Sequence, residues 1–245
     1  MLPVLFHIGP VSVYTYGFCV AAGVLLAVFL MRGQSASQGW TPDEVMDAVL
    51  YFTLTSFIGA RIFYVVQHWD FYAENPAEII MFWEGGVVFY GGVIAGLLFL
   101  WGYSRHKKWP ALKLFDFFAP YIALAHGFGR IGCFLNGCCY GSKFFSSWSV
   151  RYPFLPFSVH PVQLYEAAAN FAAFFILYAV HARKKYHGET ALAYFLIYGS
   201  IRFLLENFRG DNAPFGAGLT LPQVVSLAVL TGSAAVYFVC FRKKA

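Results

Sequence analysis

The sequence predicts an all-α, polytopic membrane protein of seven transmembrane helices, with its N-terminus outside and its C-terminus in the cytoplasm. Three observations carry that expectation. The chain is 59% hydrophobic and only 12% charged, about half the charged fraction of a soluble domain. Apolar stretches of roughly 20 residues recur along it. Lysines and arginines gather in alternate connecting segments.

Taken in order, the spans are expected at about 13–31, 45–66, 86–104, 114–136, 162–181, 188–208 and 221–241. Ahead of the first, Met1 to Pro10 has no Lys or Arg and so no basic n-region, and a cleaved signal peptide is not expected. One set of connections holds Arg32, then Arg105, Lys107, Lys108 and Lys113, then Arg183, Lys184 and Lys185, and finally Arg242, Lys243 and Lys244. The opposite set includes His68 to Glu74, with no Lys or Arg. The positive-inside rule places the first set in the cytoplasm, and an odd span count then puts the termini on opposite sides. Trp69, Phe71, Tyr72, Phe82 and Trp83 form the aromatic belt expected at a span end. The whole of 1–245 is read as one integral membrane domain, with small periplasmic segments near 67–85 and 137–161. The net charge of +5 reports topology rather than nucleic-acid binding.

Three arginines break the apolar pattern. Arg61, Arg130 and Arg202 lie in the second, fourth and sixth spans, where a guanidinium costs about 2.5–3.5 kcal/mol on insertion scales. Arginine does not escape that cost by deprotonating. Each lies about 14–16 residues along its span, roughly 21–24 Å into a ~30 Å core, so all three are expected near the outward headgroups. Glu166 and Glu206 are the expected counter-charges, Glu206 sharing a helical face with Arg202. Two carboxylates against three guanidiniums leave one positive charge, which a phosphodiester would neutralise. An arginine near a span end also snorkels or ties helices together, and for Arg61 the two roles weigh evenly. At Arg130, Gly127, Gly129 and Gly132 admit a backbone or a ligand closely, which favours a headgroup pocket.

Other groups are less distinctive. In Ser158 to Glu166, Pro161 suits a first helical turn, His160 a cap, and Gln163 and Glu166 one polar face. A capping histidine is the commoner role for His160. Gly85, Gly86, Gly91, Gly92 and Gly96 permit tight helix packing, and Tyr90 is expected to face inward among them. Tyr16-Gly17 and Tyr198-Gly199 are further phenols beside glycine. Cys133, Cys138 and Cys139 are spaced C-x4-C-C, unlike a C-x2-C zinc pattern. They, like Cys19 and Cys240, are assigned to packing. No metal or organic cofactor is expected, and no soluble-enzyme motif is present.

The run Gly129-Arg-Ile-Gly-Cys-Phe-Leu-Asn-Gly-Cys-Cys-Tyr-Gly141 resembles the signature of bacterial prolipoprotein diacylglyceryl transferases. His160-Pro-Val-Gln-Leu-Tyr-Glu166 and Tyr198-Gly-Ser-Ile-Arg-Phe-Leu-Leu-Glu-Asn-Phe-Arg209 are similar to two further family segments. Tyr16-Gly17, the Gly-Ala-Arg run ending at Arg61 and Phe89-Tyr-Gly-Gly92 fit in family order. The resemblance implies a seven-span enzyme of the bacterial cytoplasmic (inner) membrane acting in lipoprotein biosynthesis. It would move diacylglyceryl from phosphatidylglycerol to the lipobox cysteine of a prolipoprotein, releasing glycerol phosphate. It also implies that Arg130 and Arg202 are essential, and that Tyr16, Asn136, Gly141, Tyr198, Glu206 and Arg209 fall on motif positions. The commoner signature has Asn at Cys133, Glu at Cys138, and His-Gly-Gly in place of Tyr90-Gly-Gly.

Joined, the two lines expect Arg130 and Arg202 to stabilise charge on a departing phosphate, with Arg61, Gln163 and Glu166 lining the lipid site and Tyr90 or His160 as general base. An anion transporter would hold arginines nearer the midplane between repeats, and no repeat is evident. A thiol-redox protein would use the three cysteines. A diverged paralogue would keep the lipid pocket without turnover.

Overall fold

The computed structural model describes residues 2–9, 11–81, 85–210, 214–216 and 218–241. Phe82, Trp83, Arg242, Lys243 and Lys244 lie outside the described residues, as does the Cys240 side chain. The chain is mostly helical, and its long helices fall where the apolar runs lie. They are α1 (Thr15–Gln34), α2 (Pro42–Gln67), α4 (Phe89–His106), α5 (Ala111–Asn136), α6 (Val162–Arg183), α7 (Glu189–Glu206) and α8 (Leu221–Val236), with a short α3 (Trp69–Glu74) after α2. Four of them, α1, α2, α6 and α8 with their flanks, are long and apolar enough to cross a membrane. Two compact units divide the chain, residues 28–114 and residues 1–27 with 115–245.

The 28–114 unit is built on α2 and α4. Thr41 and Glu44 form a capping box ahead of Pro42, which satisfies two of the orphan donors of the first turn. Glycine lets the two helices meet: a Cβ on Gly91 would lie 2.6 Å from the Gly59 carbonyl oxygen, and one on Gly96 2.5 Å from Ser56 Oγ. The tight packing expected here is present at Gly91, Gly92 and Gly96, whereas Gly85 has no close neighbour. Tyr90, next to that stripe, lies off the face turned to α2 and is 38% exposed, against the expectation that it faces inward. At the other end Trp40 stacks on Trp109 at 4.3 Å, and Lys107 meets Glu44 at 3.2 Å.

The larger unit opens with an antiparallel hairpin, β1 (Val4–Ile8) and β2 (Val11–Tyr14), turned at Gly9 in the left-handed region (φ 60°). Two further pairs of short strands, β3 (Val150–Arg151) with β4 (Ser158–Val159) and β5 (Pro214–Gly216) with β6 (Leu219–Thr220), sit between α5 and α6 and between α7 and α8. Helix α5 runs through the unit and holds one buried anchor. Pro120 has no N–H to give the carbonyl four residues earlier, and that carbonyl, of Asp116, lies 3.1 Å from His181 Nδ1 instead. The Asp116 carboxylate is fully buried. It pairs with Lys184 at 2.9 Å and accepts from the backbone N–H of Gly188 (2.8 Å) and Ala191 (2.9 Å), capping α7 from another helix. Large apolar side chains such as Leu25, Phe175, Ile176 and Leu204 remain exposed, as expected of helices with lipid around them.

Candidate active site

Helices α5, α6 and α7 each give a polar residue to one buried cluster. Arg130 lies near the end of α5, and its Nη2 is 3.0 Å from Glu166 Oε1. Glu166 stands in the second turn of α6 and is 1% exposed. Arg130 Nε donates to His126 Nε2 at 3.2 Å, one turn back on the same helix. That nitrogen's lone pair is therefore taken by Arg130, and the ring proton belongs on Nδ1. From α7, the Tyr198 hydroxyl approaches Glu166 Oε1 at 3.5 Å, and its ring lies 5.1 Å from that of His126.

One turn beyond Tyr198, Arg202 Nη2 pairs with Glu206 Oε2 at 2.8 Å. Thr220 Oγ1 donates to Glu206 Oε1 at 2.7 Å, and Arg209 Nε stands 3.9 Å from Oε2. The guanidiniums of Arg130 and Arg202 are both within electrostatic reach of His126 and Tyr198. Three guanidiniums thus face two carboxylates, leaving one positive charge in the cluster. Arg202 Nη1 is buried and has no hydrogen-bond partner among the described residues, and nor has Glu166 Oε2. A buried guanidinium nitrogen without an acceptor is costly, as is a buried carboxylate oxygen without a donor.

A sequence profile of the prolipoprotein diacylglyceryl transferase family matches residues 3–239. The chain is 35% identical to a phosphatidylglycerol–prolipoprotein diacylglyceryl transferase of Clostridium tetani, over 93% of both chains. It is 32% identical to a second enzyme of that name from Clostridium perfringens, over 96% of this chain and 93% of the relative. A Staphylococcus aureus relative of the same name is 33% identical, over 93% of this chain and 85% of its own. The chain belongs to the prolipoprotein diacylglyceryl transferase family. With its several apolar helices, this makes it a multi-pass membrane protein.

The three segments that resemble this transferase family meet in the larger unit. Gly141 pairs as a bridge with Arg209 and donates its N–H to the His160 carbonyl at 3.0 Å. A Cβ there would lie 2.6 Å from His160 Cβ, the Phe208 carbonyl oxygen and Val162 Cγ2, so nothing larger than glycine fits. Gln163 is buried and donates to the Cys138 carbonyl (2.7 Å) and the Tyr152 hydroxyl (3.1 Å). It fixes the turn after α5 while Glu166, one helical turn on, meets Arg130. Tyr16, on the first turn of α1, is 46% exposed and packs against Gly132, whose added Cβ would meet its ring at 3.2 Å.

Other expected site residues stand differently. His160 stacks on Phe144 at 3.7 Å and meets Phe208 edge-on at 5.2 Å. Burial lowers its imidazole below the ordinary histidine range, and these contacts fit a loop-packing role better than a base. Arg61 and Tyr90 belong to the smaller unit. Arg61 donates to the carbonyls of Glu78 (2.7 Å), Ile79 (3.0 Å), Met81 (3.4 Å), Gly85 (2.7 Å) and Gly86 (3.0 Å), and lies 5.3 Å from the Tyr72 ring centre. Its five N–H groups are thereby used within the segment after α3. The structural role is the one the contacts support, and Arg209 takes the place expected of Arg61 in the charge count.

Two features went unread in the sequence. No motif singles out His126, although its spacing of four from Arg130 is a helical-neighbour signal. The three cysteines were assigned to packing. The turn after Asn136 instead brings the sulfurs of Cys133, Cys138 and Cys139 within 4.8 Å of one another.

Proposed function

We propose that this chain transfers the diacylglyceryl group of phosphatidylglycerol to the lipobox cysteine thiol of a prolipoprotein, the activity for which its relatives are named. The observation that carries the reading is the buried, unpartnered Arg202 Nη1 beside the Arg130–Glu166 pair. A phosphodiester supplies the missing acceptor and the missing negative charge together. In this reading seven helices span the cytoplasmic membrane, the N-terminus lies outside, and the arginines face the outer leaflet. Lipid enters sideways with its tails in the bilayer. The thiol sulfur attacks the glyceryl carbon that bears the phosphate, forming C–S and breaking C–O, and glycerol phosphate leaves.

Arg130 and Arg202 hold the phosphate as charge builds on it, which lowers the barrier because the donors are already oriented. His126, whose Nε2 accepts from Arg130 Nε, positions that guanidinium, and the thiol proton leaves with the glycerol phosphate. Tyr198 and Glu166 orient that pair, Asn136 and Gly141 shape the turn beneath it, and Arg209 and Glu206 hold Arg202. Tyr16 lines the lipid entry.

Reconstitution tests this directly. The full chain in phosphatidylglycerol vesicles should add one diacylglyceryl mass to a lipobox peptide and release an equal amount of glycerol phosphate. A folded protein that binds the lipid yet leaves the peptide mass unchanged over many hours would instead be a diverged lipid-binding paralogue.

A further inference from the structure

We propose that Cys133, Cys138 and Cys139 form a binding site for one thiophilic metal cation of the Zn2+ or Cu(I) class. The site is built by the end of α5. After Asn136 the chain enters the left-handed region at Gly137 (φ 78°) and again at Cys139 (φ 60°), the latter an uncommon backbone for a residue with a side chain. Gly137 and Cys138 both give their N–H to the Cys133 carbonyl, at 2.9 and 3.1 Å, closing the helix with a tight reversal. Gln163 Nε2 clamps the Cys138 carbonyl from α6 at 2.7 Å. The reversal folds the vicinal pair back over Cys133, and the three sulfurs lie within 4.8 Å of one another.

That spacing suits a metal. A cation about 2.3 Å from each sulfur needs them roughly 3.7–4.0 Å apart, so small side-chain rotations close the triangle. Three sulfur donors favour soft ions over magnesium or calcium. Cys133 is buried while Cys138 and Cys139 are half-buried, so the site is held on one side and open on the other. Arg130 and Arg209 lie within electrostatic reach of Cys139, which favours its thiolate form. Packing alone does not explain three thiols converging, two of them from adjacent residues, on a turn that takes left-handed backbone twice. A bound cation would tie the end of α5 to the turn leading to Gly141. The site stands whether or not the lipid reading above is right.

Purified, reduced full-length protein in detergent is titrated with Zn2+, Cd2+ and Cu(I). We expect one ion per chain, a thiolate-to-metal absorption band with Cd2+, a raised unfolding temperature, and protection of three thiols from alkylation. Cys133→Ser, Cys138→Ser and Cys139→Ser should each weaken binding by about 100-fold or more, whereas Cys19→Ser, outside the three-sulfur group, should bind as the parent does. Thermal unfolding without metal checks that each variant folds. Absence of the band, or a band that persists in Cys139→Ser, overturns the proposal. So does a native mass two hydrogens lighter that reductant restores, which would make the cluster a disulfide centre.

Discussion

A guanidinium in an apolar helix is informative only through where its five N–H groups go. Arg61 gives its donors to five carbonyls of the segment after α3, from Glu78, Ile79, Met81, Gly85 and Gly86. Arg61→Ala should therefore lower the unfolding temperature in detergent by several degrees, since it orphans a set of buried carbonyls. An unchanged melt would contradict the assignment. Arg130 and Arg202 each give a nitrogen to a carboxylate, and Arg202 keeps one buried nitrogen without a partner. His126 has a different signature. His126→Ala should lower kcat/KM about 10-fold, in parallel across pH, because Arg130 loses the acceptor of its Nε–H; an unchanged rate would remove His126 from the site. The sequence left Arg61 evenly balanced because charge and depth are the same for an arginine that ties a loop and one that holds an anion. What separates them is the carbonyl cage, assembled from residues 17–25 positions away.

At the scale of the elements, hydropathy located the long helices of the described residues, because a run of apolar residues reports its own burial or lipid exposure. It did not reveal the β1–β2 hairpin, whose nine or so residues carry no strong period, nor the cap on α7. That cap comes from Asp116, more than seventy residues upstream. Asp116 bonds Lys184 and two N–H groups at the start of α7, and its carbonyl, released by Pro120, lies against His181. Asp116→Ala leaves Lys184 and the helix start without their partner, at a cost of about 3–5 kcal/mol. Chemical denaturation in detergent should show a loss of that size; a change below ~1 kcal/mol would mean that water replaces the carboxylate. The cysteine turn was illegible for a related reason. C-x4-C-C fails as a linear zinc pattern, yet left-handed backbone at Gly137 and Cys139 converts it into a triangle of sulfurs.

For the molecule as a whole, the family segments around Arg130, Glu166 and Arg202 are scattered over some seventy residues and meet in one cluster of the larger unit. Most of that candidate site was legible, because each segment carries charge where a membrane helix normally has none. The exceptions were His126, hidden as a plain helical residue, and the exchange of Arg61 for Arg209. The central claim is that Arg130 and Arg202 grip the same phosphate. The direct measurement is a double-mutant cycle on diacylglyceryl transfer in phosphatidylglycerol vesicles, with Arg130→Ala, Arg202→Ala and the pair. Each single change should lower kcat/KM by ~10²–10³, and the double should lose far less than the product of the two, because both act on one group. Losses that multiply would mean two independent sites, and near-normal turnover in either single variant would remove that arginine from the chemistry.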